Sequence, residues 1–412
     1  MSAMEQNRLW TKNFTILTLG TVVSMLGNAV SGFAIGLLVL DYTGSTLLYA
    51  VFAVVYNLPK IIMPSLAGPY LDRFSRVKMI YTLDFISAGL YIIIFFVLKL
   101  NWFNYVLLLV LCVVIGTVDS VYQVAYDSLY PTLISEGNYS KAYSISSMLY
   151  PLSAIMVPVA AWCYENVGLE PLFLFNAITF VVAAGFETLI HADESHIKKE
   201  AAVYSIRRYA DDFKQGLSYL KGEKGLLVIT AYFVISTMVN NASGTLVLPY
   251  FKSPGGLGVT AYTYVMACSV FGRMVGGMVH YKFRYPVEMK FAIALFVYII
   301  SAVIDATYLF TPMAVMMIVL FISGCLCVTS FNIRISSTQN HVPNEMRGRF
   351  NGTFQMLTTL GGIVGTLAAG ALGEVLPIRG VIVGFNALSV LAAVFIMYRG
   401  REHVKKIYCV DI

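Results

Sequence analysis

Long apolar stretches separated by short polar turns repeat along the whole of this 412-residue chain. Twelve runs stand out, at about 14–40, 46–70, 79–98, 105–130, 141–164, 170–191, 225–251, 258–281, 287–310, 313–338, 349–375 and 379–398. A helix of about 20 residues crosses the hydrocarbon core of a bilayer. None of the runs alternates with the period of a strand, which argues against a β-barrel. The pattern predicts an all-α membrane protein with twelve transmembrane helices. One longer polar stretch, 192–224, carries Ile206, Tyr209, Ala210, Phe213, Leu217 and Leu220 at helical spacing, with Arg207, Arg208, Asp211, Asp212 and Lys214 opposite. It predicts an amphipathic linker helix lying on the membrane surface or on the protein.

Composition agrees with lipid as solvent. Hydrophobic residues make up 58% and charged residues 12%, against roughly 25% charged in a soluble protein. The net charge of +6 is scattered over loops, which argues against nucleic acid as a partner. With both termini placed in the cytoplasm, twenty-two Lys and Arg fall on the inner side, three outside (Lys99, Lys252, Arg379) and three within spans (Lys60, Arg273, Arg334). That asymmetry fixes the orientation. The polar first thirteen residues and the overlong first run predict no cleaved signal peptide. The six cysteines lack metal-ligand spacing and are read as free thiols filling space.

The chain also repeats itself. Ser147-Met-Leu heads run five and Gln355-Met-Leu heads run eleven; Phe175-Asn176-Ala177 recurs as Phe385-Asn386-Ala387. The loop from Gly68 to Lys78 has a degraded partner from Gly277 to Arg284. A near-constant offset predicts two pseudo-symmetric six-helix halves with a substrate path between them. The expected organisation is an N-terminal half (1–191), a linker (192–224), a C-terminal half (225–398) and a cytoplasmic tail (399–412).

The loop itself carries Gly68, Asp72, Arg73, Arg76 and Lys78 between two membrane-length runs. It resembles the loop between helices 2 and 3 of the major facilitator superfamily. The stretches Leu133–Ala142, Phe213–Leu220 and Pro343–Arg349 look like the macrolide-efflux and siderophore-exporter branch of that superfamily. The resemblance implies the twelve-helix major facilitator fold, alternating access, and a conformational gate formed by Gly68, Asp72, Arg73, Arg76 and Lys78. Run five departs from the glycine-rich pattern of many drug antiporters of the superfamily; the glycines gather in run eleven instead (Gly361, Gly362, Gly365, Gly370, Gly373).

Ionised side chains within spans are functional candidates by default. Lys60 and Asp119 each lie 14 residues into runs that descend from the outer surface, so both sit ~21 Å down and can pair. Arg273 lies at similar depth in the other half. A carboxylate in mid-span can take up and release a proton, which makes Asp119 the first candidate for proton coupling and Asp127 the second. Asn28, Tyr56, Lys60, Tyr122, Asn240, Asn241, Arg273 and Asn332 are the candidate cavity residues. Tyr122, Tyr126 and Tyr130 form a stripe that packs or lines a wall. Asp84, Glu187 and Arg334 are read as holding inner loops by ion pairs, and Asp305 as reaching water near the outer surface.

These features point to a secondary active transporter: a multi-pass, monomeric protein of a bacterial cytoplasmic membrane that exports hydrophobic or amphipathic molecules. Protons would drive it through an aromatic and methionine-rich cavity. The competing reading is a selective importer or facilitator of a small organic anion or nutrient, bound by Lys60 and Arg273. No nucleotide loop, metal cluster or nucleophile constellation suggests an enzyme, a metal site or a cofactor.

Overall fold

The computed structural model describes residues 9–71, 74–135, 138, 142, 145–146, 149, 153, 155–192, 206–282 and 286–410. Asp72 and Arg73 of the expected gate lie outside the described residues, as do much of run five and part of the Gly277–Arg284 loop. Ten helices among the described residues are long and apolar enough to cross a membrane. The runs missing from that set are 141–164, whose first part is partly undescribed and whose second part is the helix Met156–Asn166, and 258–281, which folds as a 24-residue helix, Val259–Lys282.

The chain divides into two compact units. One comprises Met1–Gly44 and Val55–Ile206; the other comprises Ser45–Val54 and Arg207–Ile412. In the N-terminal unit, α1 (Lys12–Thr43) starts where Thr11 accepts the Phe14 N–H at 3.2 Å. It stops at Gly44, whose φ of 60° lets its N–H bond the Leu40 carbonyl. Helix α2 (Thr46–Leu71) belongs to this unit from Val55 onward, its first residues counting with the other unit, and α3 (Arg76–Lys99) and α4 (Tyr105–Leu129) follow. Ser75 caps α3 and Asn104 caps α4, each accepting backbone N–H groups of the first turn. Helices α5 (Met156–Asn166) and α6 (Glu170–Glu187) complete the unit. Its tightest pairings are α3 with α6 and α1 with α6. The inner core gathers Phe14, Leu17, Val77, Ile80, Tyr126 and Tyr130.

The C-terminal unit holds α7 (Ile206–Gly222), α8 (Lys224–Lys252), α9 (Val259–Lys282), α10 (Lys290–Thr307), α11 (Met313–His341), α12 (Asn344–Val375), α13 (Ile378–Ala392) and α14 (Arg401–Tyr408). Its pairings repeat those of the first unit: α10 packs on α13 as α3 packs on α6, and α8 on α13 as α1 on α6. The repeated Phe-Asn-Ala motifs make the equivalence chemical. Asn176 donates to Ser31 Oγ at 2.6 Å, and Asn386 donates to Ser243 Oγ at 3.1 Å. Each asparagine ties the sixth helix of its half to the first.

Two helix seams in this unit are closed by glycine. A methyl group on Gly272 would run into the Phe321 carbonyl of α11, and one on Gly365 into the Met238 carbonyl of α8. The backbones therefore approach as only small residues allow. Helix α7 rests on the protein: Gly216 lies against Arg349 and Thr353 of α12, and Leu220 is buried. The expected tail is likewise no free segment. Helix α14 buries Val404, Ile407 and Tyr408 in a core with Leu226, Phe291 and Tyr298. At the start of α2, Glu374 accepts from Ser45 Oγ at 2.5 Å, Thr46 Oγ1 at 3.3 Å and the Leu47 N–H at 2.9 Å. All six cysteines are free thiols.

Candidate functional site

In the N-terminal unit α2 and α4 come together at Gly116, where an added methyl would strike the Tyr56 carbonyl. This approach brings Tyr56 to Asp119, and its hydroxyl donates to Asp119 Oδ2 at 3.1 Å. Lys60 lies one turn on, its ammonium 4.7 Å from the centre of the Tyr56 ring. The equal depth of Lys60 and Asp119 read from the sequence is matched, but the direct ion pair is not: the two do not approach within 4.0 Å, as His341 and Glu223 do at 3.5 Å. Tyr56 stands between cation and carboxylate, touching one with its ring face and the other with its hydroxyl. A cation on an aromatic face is held by the ring quadrupole and leaves the carboxylate with a neutral donor.

Tyr122, one turn from Asp119, does not join this group. Its hydroxyl donates to Glu187 Oε1 at 3.1 Å. Its ring stacks towards Tyr126 and then Tyr130, with centroids 6.2 Å and 5.3 Å apart. Tyr130 is buried and donates to the Ala142 carbonyl. The stripe is a packed core. Asp127 is exposed and bonded to Gln123 of its own helix at 2.8 Å, apart from Asp119. Of the gate residues, Arg76 donates to the Ser128 carbonyl at the end of α4 at 3.0 Å, and Lys78 lies in the capped first turn of α3. Gly68 falls in the last turns of α2. Asn28 is half-buried on α1, one turn before Ser31.

The ion pairs expected of Asp84, Glu187 and Arg334 are absent among the described residues. Asp84 and Glu187 are buried carboxylates, with no described cation within ion-pair distance. Arg334 is enclosed by aromatic rings instead, 5.0 Å from Phe233, 5.5 Å from Phe331 and 4.8 Å from Phe354. Such charged groups meet whatever the neighbouring helix presents, and sequence spacing within one helix cannot reveal it.

The C-terminal unit contains a cavity of about 220 Å³ among α8, α9, α10, α11 and α13. Asn240 and Arg273 line it, as do Asp305, Tyr298, Asn386 and the serines 236, 243, 269, 301, 323, 330 and 389. Met266, Tyr232 and Tyr308 also border it, and among the described residues the lining is rich in hydroxyls. Asp305 faces this cavity, where Ser323 donates to it at 3.4 Å and Arg273 lies within electrostatic reach. Asp305, read from the sequence as reaching water near the outer surface, is half-buried and borders this cavity. Its partners sit on two other helices, so no local sequence pattern marks it. Asn241 bonds back to the Thr237 carbonyl and borders Gly362, and Asn332 stands on α11 outside the cavity. Asn240 and Arg273 thus share a site, and Asn241 and Asn332 do not join it.

The sequence profile of the Major Facilitator Superfamily matches residues 17–366. With its all-helical fold and paired units, the chain belongs to that superfamily of membrane transporters. An uncharacterized MFS-type transporter of Bacillus subtilis, YkuC, is 26% identical over 359 residues, covering 83% of this chain and 81% of that protein. Macrolide efflux protein A of Streptococcus pyogenes is 23% identical over 291 residues, covering 68% of this chain and 70% of the relative. Among solved structures, a mutant form of the nucleoside transporter NupG superimposes with a TM-score of 0.70 at 16% identity, covering 93% of this chain and 99% of that one. A bacterial homologue of the iron transporter ferroportin, in its inward-facing state, gives 0.67 at 15% identity, covering 98% and 100%. These likenesses speak for the fold. The family consists of membrane transporters and not enzymes.

Proposed function

We propose that the protein is a proton-coupled secondary transporter that exports amphipathic or hydrophobic molecules by alternating access. It spans the cell membrane twelve times with both termini in the cytoplasm and works as a monomer. The observation that carries this reading is the Tyr56–Asp119 bond. A carboxylate placed 14 residues into α4, with a neutral hydroxyl on it and its nearest cation held on a ring, is able to exchange a proton. Lys60 is positioned to answer the change of charge when it does. The outward direction is supported by the likeness to a macrolide efflux protein. Asp127, exposed and bonded within its own helix, would be a secondary group at most. Gly68, Asp72, Arg73, Arg76 and Lys78 would form the gate, with Arg76 fastening the loop to α4.

A second reading is favoured by the hydroxyl-lined cavity. Arg273, Asp305 and seven serines suit a small polar or anionic solute better than a drug. In that reading the protein is a selective carrier, and Arg273 binds the solute.

Proton release on binding separates the two. Purified protein in weak buffer with a pH indicator is mixed with macrolides, cationic dyes, catecholates, nucleosides and small organic anions. Export coupled to protons requires release with several apolar compounds, abolished by Asp119→Asn and kept in Arg273→Gln. Binding of one polar solute, without release and lost in Arg273→Gln, would establish the selective carrier and sink the exporter.

A further inference from the structure

The N-terminal unit contains a second acidic site, which the Asp119 reading does not use. Asp84 of α3 is 2% exposed and Glu187, the last residue of α6, is 0% exposed. Asp84 Oδ2 and Glu187 Oε2 are buried and have no hydrogen-bond partner. The Tyr126 hydroxyl, buried on α4 within electrostatic reach of Glu187, makes no well-formed hydrogen bond either, although Thr21 of α1 is a neighbour. Helix α1 closes over the site at Gly20, where an added methyl would touch Glu187 Cγ at 3.4 Å. The titratable groups that face the two carboxylates are Tyr122 and Tyr126 and, more distantly, Asp119, all from α4. No lysine or arginine among the described residues approaches within ion-pair distance.

Two buried carboxylates without a cation cannot both stay ionised at an acceptable energy. Something positive has to be held there. The described residues contain no group of three or more metal-ligating side chains, and the two carboxylates with one tyrosine donor offer few oxygens to a hard cation, which takes six or more. A proton needs only one donor and one acceptor oxygen. We propose that Asp84 and Glu187 bind one proton between them, as a carboxylic acid beside a carboxylate, forming a proton site separate from Asp119. The proton enters from water and returns to water, so no other reactant is involved. The inference deepens the proton-coupled reading and rests on it for its use in transport; the site itself does not depend on any substrate.

Infrared difference spectroscopy on the full chain in lipid nanodiscs, in water and in deuterated water, tests the site. The parent at neutral pH is expected to show a protonated carboxylic-acid carbonyl band that shifts on deuteration. The band persists in Asp119→Asn and is lost in the double variant Asp84→Asn with Glu187→Gln. Should the double variant fail to fold, the mild Tyr122→Phe change serves instead: losing the donor on Glu187 must move the band or change its intensity. A band that survives the double variant, or is indifferent to Tyr122→Phe, overturns the proposal. So does a parent without the band in sodium buffer that gains it when sodium is withdrawn, which would assign the pair to a metal cation. If proton release on substrate binding fails while this band behaves as expected, the transport reading falls and the site stands.

Discussion

Helix α14 offers the sharpest numerical test of how the C-terminal unit is built. Ile407 is 2% exposed, and its Cδ1 lies against the backbone of Gly225 on α8. Tyr408 is fully buried, and its hydroxyl is 3.1 Å from that of Tyr298, which also lines the serine-rich cavity. Truncating a buried isoleucine to alanine costs ~2–5 kcal/mol. A helix of only 8 residues at a chain end has an easier response than tolerating a void, because it can undock. Ile407→Ala should therefore raise the undocked population of the helix. When redocking outruns cleavage, proteolysis reports the undocked population. A loss of 2–5 kcal/mol then corresponds to a ~30-fold to several-thousand-fold rise in cleavage. The assay is limited trypsin digestion followed by mass spectrometry at Lys405 and Lys406, which flank the buried positions. Tyr408→Phe removes one hydrogen bond worth ~0.5–1.5 kcal/mol and should raise cleavage only about two- to twelvefold. Equal cleavage of parent and Ile407→Ala, under conditions where the parent is cut slowly, would refute the packing argument. Because Tyr298 faces both the tail and the cavity, release of the helix should also weaken binding of any solute held there.

Other consequences are open to direct measurement. Asn176→Ala leaves buried Ser31 without its donor and should cost ~1–3 kcal/mol; Asn386→Ala, beside a cavity that water can enter, should cost less, and equal melting shifts would contradict this. Glu374→Ala removes three donors' acceptor at the start of α2, and thermal melting should register a loss of ~0.5–2 kcal/mol. Gly272→Leu should abolish a monodisperse, folded product, since the added side chain meets backbone that cannot yield; normal gel-filtration behaviour would count against the seam. Phe354→Ala opens the aromatic enclosure of Arg334 and should destabilise by ~3–5 kcal/mol, the cost of a large cavity, where an exposed phenylalanine would cost almost nothing.

Much of the architecture was legible in the chain because membrane helices announce themselves by length and apolarity. The repeat was legible because duplicated helices kept Phe-Asn-Ala at one spacing, and the structure gives that motif a reason in the Ser31 and Ser243 bonds. Depth was legible too: counting residues placed Lys60 and Asp119 at one level. What the sequence could not give was azimuth, the direction in which each side chain leaves its helix. Tyr122 faces Glu187 rather than a cavity, Asp305 faces a serine-lined cavity, and Arg334 faces rings rather than carboxylates. Each of these depends on which neighbouring helix lies opposite, a property of pairs of helices. The buried pair Asp84 and Glu187 had no local signal, because the two residues lie on different helices and Arg76 stands two turns from Asp84 on α3.

The glycine seams bear on how such a protein can diversify. At Gly272 and Gly365 main chain rests on main chain, so the contact carries almost no side-chain information beyond the absence of a side chain. Elsewhere a span needs only to remain apolar and of sufficient length. The architecture is thereby specified by a sparse set of positions, and most of the others are free to drift. Chains only 15–16% identical to this one can share its fold for that reason. Exchanging the hydroxyl wall of the cavity for an apolar or charged one would leave both seams untouched. In the selective-carrier reading, a new solute would be acquired by changing that wall alone, with no revision of the seams.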